Sequence, residues 1–174
     1  MNININLFDS GSINDAVKRL KTYADKLDSA GPKIEKELAE IGEEIAQTSF
    51  ANALYAGTND VLVSSGKTKG GYKVSASGSA VTFIEFGSGI VMGQGYPGTR
   101  PAGFELGKYG KGGGSHPPWV YIGEIGDNPP PGTSAFEHKP DHVFTHGNPP
   151  AAGMAKAAAE MRVEMFRVVK GALK

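Results

Sequence analysis

Side chains that could carry acid–base or metal chemistry are concentrated in the second half of the chain. The four histidines lie between residues 116 and 146, and His138, His142 and His146 follow one another at intervals of four. A nearby proline and glycine disfavour a helix, but residues four apart also share one face of a strand. Glu137 and Asp141 could add oxygen ligands. A metal site and a catalytic site therefore stay open, although ordinary polar loop residues are the simplest interpretation.

Glu85 is an acidic residue inside an otherwise apolar run, between Ile84 and Phe86. It could be a catalytic acid, but a glycosidase needs a second carboxylate in the same groove. The other acidic residues lie mostly on amphipathic helices, where solvated faces are the default. We therefore interpret Glu85 as an edge or interface charge, or as a partner for a backbone or basic group.

Two glycine-containing motifs look like nucleotide-binding loops and are rejected. Gly93-Gln94-Gly95-Tyr96-Pro97-Gly98 matches the dinucleotide pattern, but that motif must open a helix, and prolines follow here instead. Gly66-Lys67-Thr68 ends like a phosphate-binding loop, but Val61 stands where its first glycine belongs. No nucleophile elbow is present either. Our prediction therefore assigns no catalytic residue, no metal and no cofactor, and chemistry at the histidines stays an alternative.

Composition narrows the class of protein further. The chain has 174 residues, 18 basic and 18 acidic side chains, and no cysteine. Disulfides, thiolate nucleophiles and cysteine-ligated zinc are excluded, and a balanced charge disfavours a protein that mainly grips nucleic acid. No apolar run reaches the roughly 18 residues of a membrane span, and the first residues lack a signal-peptide pattern. We expect a soluble protein, made in the cytoplasm, without a membrane partner.

Apolar residues recur with helical spacing at both ends of the chain. The first pattern predicts two helices over about 12–54, divided at Gly31-Pro32. The last predicts a helix over about 149–172, with Asn148-Pro149-Pro150 as its cap residue and first-turn prolines.

The period changes to two between these helices. We expect an antiparallel meander over about 59–86, with strands near Val61–Val63, at Tyr72–Ala76 and, most strongly, at Ala80–Phe86. Gly66–Gly71 reads as the first turn.

A glycine- and proline-rich insertion over about 87–147 follows the meander. Residues 87–150 hold 15 glycines and 10 prolines in 64 positions. Trp119–Ile122 and His142–Thr145 are its candidate strands, and 88–118 and 123–141 are loops. Together the elements predict a single α+β domain over 1–174, a small mainly antiparallel sheet with N-terminal helices and a C-terminal helix packed on it.

Charge and loop composition point to surfaces that bind other chains. Residues 1–56 carry 6 basic and 9 acidic side chains, whereas 151–174 carry 5 and 2. Either the terminal helices pack together through complementary charge, or the last helix bears an interaction face. The insertion also contains residues of the types that are typical of interfaces, namely Tyr96, Arg100, Phe104, Tyr109 and Trp119. Some of these side chains could instead fold back on the sheet.

Two short motifs carry a resemblance to a known family. The first is Phe83-Ile84-Glu85-Phe86-Gly87-Ser88-Gly89, at the end of the meander. The second is Thr145-His146-Gly147-Asn148-Pro149-Pro150-Ala151-Ala152-Gly153-Met154, at the start of the last helix. In this order, with helices before and after, the chain resembles the gene-product-ten-like family of HK97-type tailed phages, which comprises tail-completion and minor tail proteins of the head–tail junction. The long insertion and the Pro-Pro pair depart from the family pattern.

The resemblance implies a structural protein and not an enzyme. It implies a ring, possibly a hexamer, that binds the tail tube or tail terminator and the head connector, with DNA passing through unread. The protein would then be part of the virion, assembled in the host cytoplasm, and Glu85 would be an interface or structural charge. The candidate partner-binding residues are Glu85, Phe86, Arg100, Phe104, Tyr109 and Trp119.

Two alternatives remain open at this point. One is a metal-dependent or carboxylate hydrolase, with Glu105, His116, His138 and His142 as its groups. The other is a neighbouring phage role, either a minor capsid protein or a tail terminator.

Overall fold

The computed structural model describes residues 10–108 and 119–174. Within these ranges, long helices stand at both ends, and short strands between them form two separate antiparallel sheets. This architecture confirms the predicted α+β class. The elements in chain order are α1 (Ser10–Ala51), β1 (Leu62–Thr68), β2 (Gly71–Ser77), α2 (Val81–Phe86), β3 (Trp119–Ile122), β4 (Ser134–Phe136), β5 (Lys139–Thr145) and α3 (Gly153–Ala172).

The first helix, α1, continues through Gly31-Pro32, so the predicted division into two helices is wrong. A proline inside a helix removes one backbone hydrogen bond and costs about 3 kcal/mol. Contacts with the α3 region lie on both sides of this point. Lys26 Nζ donates to the carbonyl oxygen of Lys174 at 3.1 Å, and Arg167 Nη1 lies 3.3 Å from Glu37 Oε1. Packing between the two helices offsets the cost of the proline.

The hairpin of β1 and β2 confirms the first two strands of the expected meander. Their pairing runs from Leu62 opposite Ser77 to Thr68 opposite Gly71, so the turn is shorter than the predicted Gly66–Gly71. Glu43 Oε2 on α1 accepts a hydrogen bond from the backbone N–H of Ser65 at 2.9 Å. The hairpin is thereby fastened to the second half of α1.

The expected third strand, Ala80–Phe86, is wrong, because this segment forms helix α2. The Asp60 carboxylate accepts hydrogen bonds from the backbone N–H groups of Ser79 and Ala80, at 2.6 and 3.1 Å. Ala80 and Ile84 are both buried, since helical spacing of four residues turns them to the same side. Packing of this face overrides the β propensity of the side chains.

The second sheet has the strand order β3-β5-β4. Strand β3 pairs residue for residue with His142–Thr145, which confirms both predicted strands. Strand β5 begins earlier than expected, and β4 lies inside the segment 123–141 that was predicted to be loop. All three residues of β4 are exposed, so no apolar alternation marks it in the sequence. The described part of the other loop, 88–108, holds turns and no regular helix or strand.

The last helix begins at Gly153, later than the predicted 149, and Asn148 is not its cap. The residue before a proline disfavours helical geometry, so Pro149 is a poor first helical residue after an Asn148 cap. Ala152 is the N-cap residue instead, with φ 52° and ψ 37°. Its side chain has no hydrogen-bonding group, so another part of the chain must cap α3.

The hydrophobic core lies where the end of α1, the start of β1, α2 and the start of α3 meet. Its buried members are Ala46, Phe50, Ala53, Val61, Ala80, Ile84, Ala151 and Ala157. These elements hold the two motif segments side by side. None of the described helices is apolar over a long enough stretch to cross a bilayer.

Candidate functional site

The two motif segments, 83–89 and 145–154, are in direct contact. Ser88 and Asn148 exchange both backbone hydrogen bonds, at 2.9 and 3.1 Å. The Asn148 side chain is buried, with Nδ2 donating to the carbonyl oxygen of Phe83 at 2.9 Å and Oδ1 lying 2.5 Å from Ser88 Oγ. Every polar atom of this amide is therefore bonded inside the protein. We call the contact between segments 83–89 and 145–154 the motif junction.

Two glycines allow the backbones of the motif junction to approach so closely. Gly87 has φ +73°, and a Cβ there would lie 2.7 Å from the Pro150 nitrogen. Gly147 has φ +96°, and a Cβ there would lie 2.1 Å from the Ser88 carbonyl oxygen. Both positions require left-handed backbone and lack space for a side chain.

Glu85 caps helix α3 from across the motif junction. Its side chain is 5% exposed, and its Oε2 and Oε1 accept hydrogen bonds from the backbone N–H groups of Met154 and Ala155 at 3.0 and 3.2 Å. The first N–H groups of a helix have no partner within it, and they favour negative charge. Glu85 thus supplies the cap that Ala152 lacks, and its carboxylate is directed to the chain's own backbone.

An aromatic cluster adjoins Glu85 and brings together three of the predicted partner-binding residues. The Phe86 ring lies 5.0 Å from the Tyr96 ring and 5.2 Å from the Phe104 ring, centre to centre. The Arg100 guanidinium lies 5.4 Å from the centre of the Tyr96 ring, and its Nη2 donates to the Gly93 carbonyl oxygen at 2.5 Å. These contacts fold the first part of the insertion back onto α2.

Tyr96 joins the aromatic cluster to the cap. Its hydroxyl donates to Glu85 Oε1 at 3.1 Å. Burial, followed by the negative charge and hydrogen bond of Glu85, raises the pKa of Tyr96 to about 12, against a smaller opposing effect of Arg100. The phenol is therefore a hydrogen-bond donor at neutral pH and not a proton acceptor.

Trp119 packs against the other side of the motif junction. Its Cη2 atom would lie 3.0 Å from a Cβ added at either Gly89 or Gly147. Trp119 is half-buried, and it connects the second sheet to the junction. Tyr109, the remaining predicted partner-binding residue, lies outside the described residues.

The histidines on β5 and just beyond it share a face of the second sheet, as their spacing predicted. Phe144 lies between His142 and His146 on this face, and its ring lies 5.5 Å from that of His146. The ring of Phe136 lies 6.4 Å from that of His142. His142 Nδ1 lies 2.9 Å from Asp141 Oδ1. Within residues 10–108 and 119–174, no three His, Asp or Glu side chains are grouped as metal ligands.

Among the described residues, no contact joins Glu105 or His138 to His142 or His146. Glu105 is exposed, and its Oε1 accepts a hydrogen bond from the Gly103 backbone N–H at 3.3 Å. His138 is exposed at the turn between β4 and β5. His116 lies outside the described residues, so the hydrolase hypothesis stays a prediction.

The first half of α1 carries an uncovered apolar stripe. Five residues at helical spacing are 39 to 53% exposed, namely Ile13, Val17, Leu20, Tyr23 and Leu27. An amphipathic helix normally buries such a face against a core. Within residues 10–108 and 119–174, this stripe stays partly exposed and is not part of the hydrophobic core.

Comparisons with protein-family models, with curated proteins and with solved structures give no match for this chain. The interpretation of the site therefore rests on its own geometry. Sequence reasoning missed Asn148 as a buried connector and did not place Tyr96 at Glu85. The Pro-Pro pair after Asn148 was a usable signal, because it forbids the helical geometry that a cap residue must lead into.

Proposed function

We propose that this chain is a structural virion protein of a tailed bacteriophage or prophage, a tail-completion or head–tail joining component that acts by assembling into a ring. Its partners would be copies of itself, the tail tube or tail terminator, and the head connector. DNA would pass through the ring without sequence readout, and assembly would occur in the host cytoplasm.

The motif junction is the observation that carries this proposal. The two segments on which the family resemblance rests are bonded to each other, and their polar groups serve to position α2 and α3. Glu85 has its oxygens occupied by amide and phenol donors, which suits a structural charge better than a catalytic acid. A rigid junction of this kind supports a protein whose task is to hold surfaces in place.

The uncovered apolar residues support assembly as the mode of action. An exposed apolar stripe on α1 is expected where a neighbouring chain completes the fold. The aromatic cluster of Phe86, Tyr96 and Phe104, with Arg100, lies at the start of the insertion, so it could fix the loop that meets a neighbour.

Disruption of the coding sequence in its source genome tests the proposal. Electron microscopy of the induced lysate should reveal full heads beside separate tails of normal length, and the wild-type gene supplied in trans should restore joined particles. Normal infectious particles from the disrupted genome would contradict a joining role. Particles lacking DNA, or tails of abnormal length, would instead favour a minor capsid or tail-terminator role.

The hydrolase hypothesis has a separate test. Stoichiometric zinc or iron in the purified protein, lost in a His138→Ala/His142→Ala variant, would favour an enzyme built on the insertion. Metal at background level would remove the metal-dependent form of that hypothesis.

A further inference from the structure

The second sheet has an outer face that is apolar in the middle and acidic at one end. Val120 and Ile122 of β3 stand opposite Phe144 and His142 of β5, and directly paired residues point to the same side. Phe136 of β4 joins them through its ring contacts. Ile122 is 75% exposed. We call Val120, Ile122, Phe136, His142, Phe144 and His146 the outer sheet face.

Negative charge is concentrated at one end of this face. Glu124 follows β3, Glu137 lies in the turn between β4 and β5, and Asp141 lies near the start of β5, all at the same end of the sheet. All three are exposed, as is Asp127. Lys139 is the one basic residue against these four acids in segment 119–147, which gives a net charge of −3.

The outward side of α3 has the opposite charge around a similar apolar centre. Lys156, Ala159, Val163, Phe166 and Lys170 recur at steps of three and four and are all exposed, so they share one side of the helix. Val163 and Phe166 are 71% and 78% exposed. We call these residues, with Arg162, the outer α3 face.

Residues 151–174 carry five basic and two acidic side chains, a net charge of +3. The two acids, Glu160 and Glu164, lie at the half-buried flank of the helix, and Glu164 is bonded to Arg167. Within the part of the chain that the structure describes, no ion pair joins Lys156, Arg162 or Lys170 to an acid, so the outer α3 face is basic.

From this complementarity we infer that the outer sheet face of one copy binds the outer α3 face of the next copy. Both faces combine exposed apolar residues with opposite net charge, as interfaces with an apolar centre and a polar rim do. Because the two faces differ, the contact is head-to-tail, and a head-to-tail contact closes into a ring when its rotation allows. The inference deepens the proposed ring assembly and rests on it.

The exposed stripe on α1 does not offer the same pairing with either face. Lys18, Arg19, Lys21 and Lys26 accompany Asp15, Asp25 and Asp28 in that part of the helix. Mixed charge of this kind selects neither the acidic nor the basic face. Of these three surfaces, the outer sheet face and the outer α3 face are the pair with complementary charge.

Charge reversal tests the inference in the intact chain. Variant A carries Glu124→Lys and Glu137→Lys, and variant B carries Arg162→Glu and Lys170→Glu. Sedimentation velocity should find that wild type associates and that A and B alone associate more than about tenfold more weakly, because like charges then face each other. A one-to-one mixture of A and B should associate again, and so should the chain that carries all four changes.

Matched controls separate the interface from general effects of charge and hydrophobicity. Lys67→Glu/Lys69→Glu makes the charge change of variant B on the exposed hairpin and should associate like wild type. Ile122→Ser should weaken association, whereas Leu62→Ser, at a residue 70% exposed on β1, should not. Circular dichroism and thermal unfolding establish that every variant is folded.

Two results would overturn the inference. One is wild type that stays monomeric at its highest soluble concentration, and the other is variants A and B that associate as wild type does. Neither decides the phage role, because joined or separated heads and tails in the disrupted lysate report on that independently. A mixture of A and B that fails to associate, although each single variant has lost association, would also count against the pairing of these two faces.

Discussion

The carboxylate of Glu85 lies 3.0 Å from the backbone nitrogen of Met154, so a side chain of one motif caps the helix that the other motif opens. These residues are 69 positions apart. The link makes the start of α3 depend on the position of α2, and it explains why an Ala can stand at the N-cap of α3. Many of the polar groups in the two motifs therefore bond the motifs to each other.

Removing the cap should destabilise the protein without changing its secondary structure greatly. We expect Glu85→Gln to lower the free energy of unfolding by about 1–3 kcal/mol, because the amide leaves buried N–H groups without a charged acceptor. Tyr96→Phe removes a single donor to the same carboxylate and should cost less. Urea unfolding of both variants measures the difference, and equal losses would mean that the bonds to Met154 and Ala155 contribute little.

Substitution of the junction glycines should be far more harmful than substitution of a glycine in open space. Gly147→Ala forces a Cβ against the Ser88 carbonyl oxygen and also strains a backbone with positive φ. Gly103 has φ +88° but no heavy atom near its Cβ position, so Gly103→Ala reports only the backbone strain of about 1–2 kcal/mol. We expect a loss at Gly147 that exceeds this by more than about 2 kcal/mol, measured by chemical denaturation. Similar losses at both positions would contradict the close backbone approach.

The Asp60 cap of α2 should make stability sensitive to acid. Hydrogen bonds from Ser79, followed by one from the Ala80 backbone, lower the pKa of Asp60. A carboxylate whose pKa is lower in the folded state stabilises the fold above its unfolded pKa, near 3.9, and this contribution is lost as the pH falls through the folded value. In thermal unfolding curves, Asp60→Asn should therefore differ from wild type at neutral pH. The difference should shrink as the pH falls below about 4. Asp25→Asn on exposed α1 is the control, and a constant difference across pH would refute the assignment to Asp60.

Tyr96 should give the opposite dependence at high pH. Since its pKa of about 12 is above the ordinary value near 10, its contribution to stability is full below pH of about 10 and is lost as the pH rises through the folded pKa. The stability difference between wild type and Tyr96→Phe should shrink over that interval. Ultraviolet titration of the phenolates should also lose its highest transition in Tyr96→Phe. A titration curve whose upper end is unchanged would contradict the contact with Glu85.

The spacing of apolar residues along the sequence predicted the elements whose own residues show a helical or strand pattern. The helical spacing in α1 and α3 and the strand-forming runs in β2 and β5 indicated that these elements exist, although the bounds of α1, α3 and β5 were predicted inaccurately. Three features depended on distant residues and were predicted wrongly. Packing of Ala80 and Ile84 against the core, with Asp60 bonded to the residues before the helix, favours α2 over a strand. Contacts with α3 support α1 across Pro32, and Glu85 caps α3, so that Asn148 is available to join the motifs.

The sequence indicated which residues belong to the candidate site better than it indicated how they contact one another. Tyr96, Arg100 and Phe104 were singled out by residue type. The structure brings them together with Phe86, whose ring contacts those of Tyr96 and Phe104. Nothing in their spacing indicates that Tyr96 would lie on Glu85, because the glycine-rich segment between them sets no period. Their contact with a partner remains a prediction.

The continuity of α1 has a mechanical consequence. Its 42 residues, at 1.5 Å each, make a rod of about 63 Å, whereas a compact chain of this size has a radius of gyration of about 16 Å. The part before Lys26 extends past the contact with the last residue of the chain. Because α1 is held at Phe50, Glu37 and Lys26, a shift in any of these contacts changes the direction of the part before Lys26. The contacts with α3 on both sides of Pro32 therefore determine how precisely the Ser10 end of α1 is positioned.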